Sequence, residues 1–489
     1  MALTHASFGS SLRWLGAARL GGQLLSWVGT IWVMRLLVPG DYGLVAICTA
    51  VLAVATLVAE LGFGAALVQA AAPTRDEIRS IFGASLLFAW FCAGALALGA
   101  PWLGTLFTAP EAVPMIRVAA LTLVMSALAT VPDAFLRREM AFRRISVIEF
   151  VSGVVATIVT VSMAVAGAGA WSLVVGPVVG TGVRVVLVLI VAQIWFLPSF
   201  RLGSARAMLG FGFKVALSRL ASFVFGQADV LIGARVLSKP ELGVYSIAMH
   251  LALLPLSKLM SVFNSVAFPA IAGMKRSAVD TKPLLLHGLR VVGHVVLPLL
   301  WGLCAVAPWL LPLLLGPSWT GAILPLQIVC LALPLRLVSV LLSTTLQGLG
   351  HAGLDLRNTI TGVVLLPALF LAGSLRGAEG LALAWLVGLP LLLALNMYRS
   401  SAVLGFGIKS VLKALAPSAA CSVAMAAVIG LLAAALGSVA QGVFGVIALC
   451  LTGAASYLAL FWFWDRTSAS TLLGLATGRN QTASSTATG

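Results

Sequence analysis

The sequence predicts an all-α integral membrane protein of about 14 transmembrane helices, in two parallel-repeat lobes of six plus two extra C-terminal helices. Three observations carry this. Of 489 residues, 61% are hydrophobic and only 9% are charged, against about 25% charged in a soluble globular chain. The apolar residues fall in stretches of about 18 to 28, long enough for a helix to cross the hydrocarbon layer, whereas a β-barrel would alternate polarity over about ten residues. The chain also repeats itself at an offset of 200 residues, as transporters built from two similar halves do.

The repeat aligns Arg35–Ile47 on Arg235–Ile247 without gaps. Arg35, Leu37, Gly43 and Ile47 recur as Arg235, Leu237, Gly243 and Ile247, and Asp41 faces Glu241. At the same offset Arg19-Leu20 falls on Arg219-Leu220.

The predicted spans run in order over 12–34, 43–70, 79–100, 114–134, 147–166, 170–195, 209–235, 243–270, 286–312, 321–346, 356–374, 378–398, 408–436 and 439–464. The first keeps Arg13 and Arg19 and shows no small-residue cleavage site, so it reads as a retained helix and not a cleaved signal. The ninth contains Pro298 and Pro308, which blur its end. The two copies begin six spans apart, an even number, so both halves share one orientation. The expected division is an N-terminal six-helix lobe over 1–200, a C-terminal six-helix lobe over 201–400, two additional helices over 401–466, and a tail at 467–489. The tail is rich in Ser, Thr, Gly and Ala, a composition that predicts disorder on the cytoplasmic side.

Net charge is +16, but its placement argues against a nucleic-acid footprint. One set of alternate loops holds Arg75 and Arg79, Arg137, Arg138, Arg143 and Arg144, Arg201 and Arg206, Lys275, Arg276 and Lys282, Arg357, and Arg399. The other holds Arg35, Arg235, Lys239 and Arg376. The positive-inside rule puts the first set, and with it both termini, in the cytoplasm. The excess positive charge then records topology and contact with anionic lipid, and no nucleic-acid partner is expected. The six cysteines fall inside spans without a Cys-x-x-Cys pair, which predicts packing residues and neither disulfide nor metal.

Charged residues inside the spans need an explanation, because each costs roughly 2.5–3.5 kcal/mol at a helix centre. The cations are Arg19, Arg184, Arg219, Lys258 and Arg336; the anions are Glu60, Glu149 and Asp229. The surplus of cations suits a ligand bearing a diphosphate, since arginine offers paired donors to phosphate oxygens. Arg19, Arg219, Arg184, Lys258 and Arg336 are therefore the candidate substrate contacts of a cationic cavity. Plainer roles stand beside this one: Arg19 and Arg219 can snorkel to the headgroups, and the others can pair with Asp229 or Glu149. Glu60 and Asp229 are candidates for coupling or gating, with helix packing as the alternative for Glu60. Asp41 and Glu241, in matching outer loops, read as gate residues or as caps. Pro177, Pro255, Pro298, Pro334, Pro390 and Pro417 lie mid-span and predict bends. His250 and His294 lack ligand spacing and read as packing or polar-cavity residues. No catalytic residue and no metal ligand is assigned.

Several blocks resemble the Wzx-type polysaccharide exporters, or oligosaccharide flippases. They are Arg35-Leu-Leu-Val-Pro-Gly-Asp41-Tyr42-Gly43, the run Glu60–Gln69, the run Leu136–Arg144, and Leu315–Trp319 followed by Pro325-Leu-Gln327. That family belongs to the multidrug/oligosaccharidyl-lipid/polysaccharide exporter superfamily, which also holds MATE exporters and lipid II flippases. The resemblance covers about residues 8–400. It implies a two-lobed fourteen-helix bundle in the bacterial inner membrane. It also implies that an undecaprenyl-diphosphate-linked oligosaccharide repeat unit is flipped by alternating access, for exopolysaccharide, capsule or O-antigen synthesis. No covalent chemistry and no cofactor are implied, and the absence of a Gly-x-x-x-x-Gly-Lys-Ser/Thr phosphate loop agrees. The implied partners are the lipid-linked substrate, the bilayer, and the polymerase and chain-length or export proteins of a polysaccharide pathway. The rival readings are a lipid II flippase, a MATE-like small-molecule exporter and a membrane polysaccharide polymerase. An exporter of cationic drugs favours an acidic cavity, and a polymerase needs a sizeable outer loop; neither is evident here.

Overall fold

The computed structural model describes residues 27–60, 63, 64, 67, 74–193, 197–200, 226–256 and 282–464. Arg19, Arg219, Lys258 and the tail at 467–489 lie outside them. Among the described residues the chain is helical and contains no strand.

We number the helices α1 (27–36), α2 (Pro39–Glu60), α3 (Arg75–Leu106), α4 (Ala112–Arg138), α5 (Phe142–Val165), α6 (Ala170–Ala192), α7 (226–236) and α8 (239–256). The rest are α9 (Lys282–Leu315), α10 (Ile323–Gly348), α11 (Ala352–Ser374), α12 (Gly377–Leu404), α13 (Ile408–Leu436) and α14 (Val443–Trp464). Each predicted span meets one of these helices. Eleven stretches among the described residues are long and apolar enough to cross a bilayer.

Most of these helices need little help from their ends, because burying the backbone polar groups in lipid enforces internal hydrogen bonding. α3 nonetheless has a full capping box: Glu77 N donates to Thr74 Oγ1 (3.3 Å), and Thr74 N donates to Glu77 Oε2 (2.7 Å). The mid-span prolines do not end their helices. α6 continues through Pro177, α9 through Pro298 and Pro308, α10 through Pro334, α12 through Pro390 and α13 through Pro417.

The chain divides into two compact units, Met1–Ser246 and Ile247–Gly489. In the first, Ile78, Ile81 and Ala84 of α3 pack with Val131 and Ala134 of α4 and with Phe63 and Leu67. A second cluster joins Ile145 and Ile148 of α5 to Val185 and Val188 of α6. In the second unit the C-terminal pair is bound into the body: Cys421, Met425 and Ile429 of α13 meet Leu449 and Tyr457 of α14 and Val306 of α9. Cys48, Cys92, Cys330 and Cys421 are buried.

Candidate functional site

The repeat folds into twin hairpins. α1 breaks at residues 37–38 and α2 restarts at Pro39; α7 breaks at 237–238 and α8 restarts at Lys239. Each restart leaves backbone N–H groups exposed, and an acid four residues after the last turn of the preceding helix answers them. In the first copy Val38 N donates to Asp41 Oδ2 (3.2 Å). In the second, Ser238 N donates to Glu241 Oε2 (3.1 Å) and Glu241 N donates back to Ser238 Oγ (3.4 Å). The structure thus places Asp41 and Glu241 as caps. Asp41 does more: Ala170 N, at the start of α6, donates to its Oδ1 (3.2 Å). One carboxylate serves two helix N-termini, where the helix dipoles favour negative charge.

The twin turns also touch each other. A Cβ built on Gly43 would overlap the Lys239 carbonyl oxygen, and one built on Gly243 would overlap the Pro39 carbonyl oxygen. The partner positions, 39 and 239, are themselves related by the repeat offset. The contact is therefore reciprocal, backbone against backbone, and requires glycine in both copies. Beside it Lys239 Nζ lies 2.6 Å from Glu111 Oε2, tying α8 to the α3–α4 turn.

The Lys239 ammonium, by its hydrogen bond, holds the Glu111 carboxyl below its ordinary range. A lowered folded-state value means the pair stabilises above the unfolded pKa, and that its contribution is lost as pH falls through the folded value. The thermal midpoint of the wild type should thus fall further than that of Glu111→Gln as pH drops below about 4.3, the ordinary glutamate value. The difference will be small, because the pair faces solvent. Parallel curves for the two proteins would show that the pair contributes nothing.

The remaining candidates fall into separate places. Asp229, on α7, is buried and accepts a hydrogen bond from Tyr245 Oη of α8 at 2.5 Å. It ties the second hairpin together across its break. The first copy has no equivalent: the matching residues are Gly29 and Val45.

Arg184, on α6, pairs with Asp133 of α4 at 2.5 Å. Both side chains stay partly accessible, 28% and 19%. The carboxylate keeps the guanidinium charged at membrane depth. Asp133 is the residue that sequence reasoning missed. A span edge set at 134 made it look like a loop residue, but α4 runs on to Arg138 and carries Asp133 more than a turn inside. The available signal was an acid beside Pro132 at the end of an apolar run.

Arg336, on α10, is half-buried, with its guanidinium 5.3 Å from the ring centre of Trp385 on α12. This is a cation–π contact, strengthened where water is scarce. Trp385 in turn packs on Phe370 of α11, centroids 5.0 Å apart. Glu60 is the exposed last residue of α2, at the negative end of that helix dipole, and Glu149 is exposed on α5. His294 lies in the core of the second unit. Tyr457 Oη donates to the His294 carbonyl (3.1 Å), so its oxygen is left to accept from Nδ1 at 2.8 Å. The contact fastens α14 to α9. The structure therefore brings together Asp41, Gly43, Lys239, Glu241 and Gly243 at the twin turns, and separately Arg184 with Asp133. No cluster of His, Cys, Asp and Glu suited to a metal occurs among the described residues.

This is the fold of a many-span membrane transporter. It superposes on the solved lipid II flippase MurJ in its inward closed conformation with a TM-score of 0.74, at 15% identity, over 92% of this chain and 98% of that chain. Residues 32–324 match the family described as polysaccharide biosynthesis protein, and the chain belongs to that family. It is 22% identical to an uncharacterized membrane protein in the cps region of Klebsiella pneumoniae, over 77% of this chain and 79% of the relative. It is 24% identical to the lipopolysaccharide biosynthesis protein WzxC of Escherichia coli, over 72% of each.

Proposed function

We propose that the protein flips an undecaprenyl-diphosphate-linked oligosaccharide repeat unit across the bacterial inner membrane, from the cytoplasmic to the periplasmic leaflet, by alternating access. Both termini lie in the cytoplasm, and the twin turns lie at the periplasmic end. The observation that carries this reading is Arg184 in a chain of the polysaccharide biosynthesis family. Asp133 holds it charged within a membrane span, yet it stays partly accessible. A guanidinium has five N–H donors, more than one carboxylate can use, so it can also engage a diphosphate. Arg336 serves the same ligand from the second unit, and Arg19, Arg219 and Lys258 complete the cationic path. The proteins of the host polysaccharide pathway, including its polymerase, receive the product.

The test is purified protein in vesicles loaded with fluorescent undecaprenyl-diphosphate oligosaccharide on one leaflet. Movement to the other leaflet is read by a membrane-impermeant quencher. We expect protein-dependent translocation that falls about tenfold or more in Arg184→Ala, as loss of a charge-assisted contact dictates. Equal activity on organic cation dyes with none on the lipid-linked sugar would overturn the reading. Activity on lipid II alone would move it to the peptidoglycan precursor.

A further inference from the structure

The first unit contains an apolar groove of about 420 Å³ that none of the charged candidates lines. Val51, Ala55 and Val58 of α2 form one wall, Phe91, Ala95 and Phe107 from α3 and its C-terminal end form the facing wall, and Leu231 of α7 closes it. The rim is open at Phe91, which is 69% exposed. In a bilayer such a space meets hydrocarbon and not water.

Its length decides what can occupy it. From Phe91 to Phe107 the chain climbs about 24 Å at the helical rise. The hydrocarbon core is about 30 Å thick, so one leaflet offers about 15 Å. An acyl chain of a resident phospholipid belongs to one leaflet and would leave much of the groove empty. A long isoprenoid would fill it. Spread over that length, the volume is about one hydrocarbon chain wide. Ala55, Cys92 and Ala95 also leave notches between larger side chains, which suit the methyl branches of an isoprenoid. We infer that the α2–α3–α7 groove is the track for the polyprenyl tail of the translocated lipid, guiding it between leaflets while the headgroup moves elsewhere. The assignment deepens the proposed function and rests on the substrate being polyprenyl-linked.

The test uses full-length protein in nanodiscs and a sugar-free probe, an eleven-isoprene polyprenyl phosphate with a diazirine on its tail. After illumination, peptides of α2 and α3 bearing Val51–Val58 and Phe91–Leu96 should carry the label. Unlabelled polyprenyl phosphate should displace it, and phosphatidylglycerol should not. Ala95→Phe should cut labelling by about tenfold or more, the factor expected when about two methylenes lose their place. Ala55→Phe should do the same from the opposite wall. Leu98→Phe, on the lipid-facing side of α3 at 84% exposure, should label like the wild type. Each variant is first required to elute as a single species. Label confined to other helices would overturn the inference. So would a diazirine phospholipid that labels the groove and resists displacement by polyprenyl phosphate. Because the probe lacks sugar, a failure of oligosaccharide translocation leaves this result standing, and a failure here leaves the translocation result standing.

Discussion

Gly43→Ala and Gly243→Ala should each destabilise the protein, although alanine is the better helix former by about 1 kcal/mol. The methyl group would overlap a carbonyl oxygen of the facing turn in either case. Backbone cannot rotate away as a side chain can, so the twin turns must separate, at a cost of about 1–3 kcal/mol. Gly40→Ala is the control one helical turn away. Nothing lies within 4 Å of its added methyl, so it should be neutral or stabilising by up to about 1 kcal/mol. The decisive measurement is the double mutant. Both glycines serve one contact, so Gly43→Ala/Gly243→Ala should cost less than the sum of the singles by about 0.5–3 kcal/mol in unfolding from mixed micelles. Strict additivity would mean that the turns do not meet reciprocally.

The second large effect concerns Arg184 and Asp133. Removing either partner leaves a charge stranded at membrane depth. For a fully buried pair that costs about 3–5 kcal/mol. With 28% and 19% of these side chains accessible, we expect roughly 1–3 kcal/mol, since solvent screens part of the loss. Asp133→Asn/Arg184→Gln removes both charges and should recover most of that stability. Transport then separates two roles. If Arg184 contacts the diphosphate, the double mutant is stable and inactive. Activity returning together with stability would make the pair purely structural and remove the main support for the proposed substrate contact.

The spans were legible in the sequence because their apolar stretches are long and sparsely charged. Span edges were less legible, and Asp133 shows the cost. Charge and hydropathy place an edge where the lipid preference fades, but a helix continues until its backbone finds another partner, which for α4 is at Arg138. The repeat was legible as identities at Arg35, Leu37, Gly43 and Ile47. Their purpose was not. Gly43 could be read as a turn residue of its own hairpin, whereas its constraint comes from Lys239, nearly 200 positions away. Asp41 and Glu241 were open between gate and cap until their hydrogen bonds placed them as caps. The bends expected at mid-span prolines leave the helices continuous, because lipid gives a freed carbonyl no better alternative than the helix itself.

Taken alone, the sequence determined that this chain enters a membrane as many helices, twice through a similar plan, and which family it joins. Those properties follow from segment-by-segment partition into hydrocarbon and from short motifs, both of which are local sums along the chain. Only the tertiary structure decided that Arg184 answers Asp133, that Gly43 and Gly243 face each other's turns, and that α2, α3 and α7 leave a chain-wide groove. Each of these depends on which helix faces meet. Lipid-facing and protein-facing surfaces are nearly equally apolar in a membrane protein, so hydrophobicity carries little information about those faces.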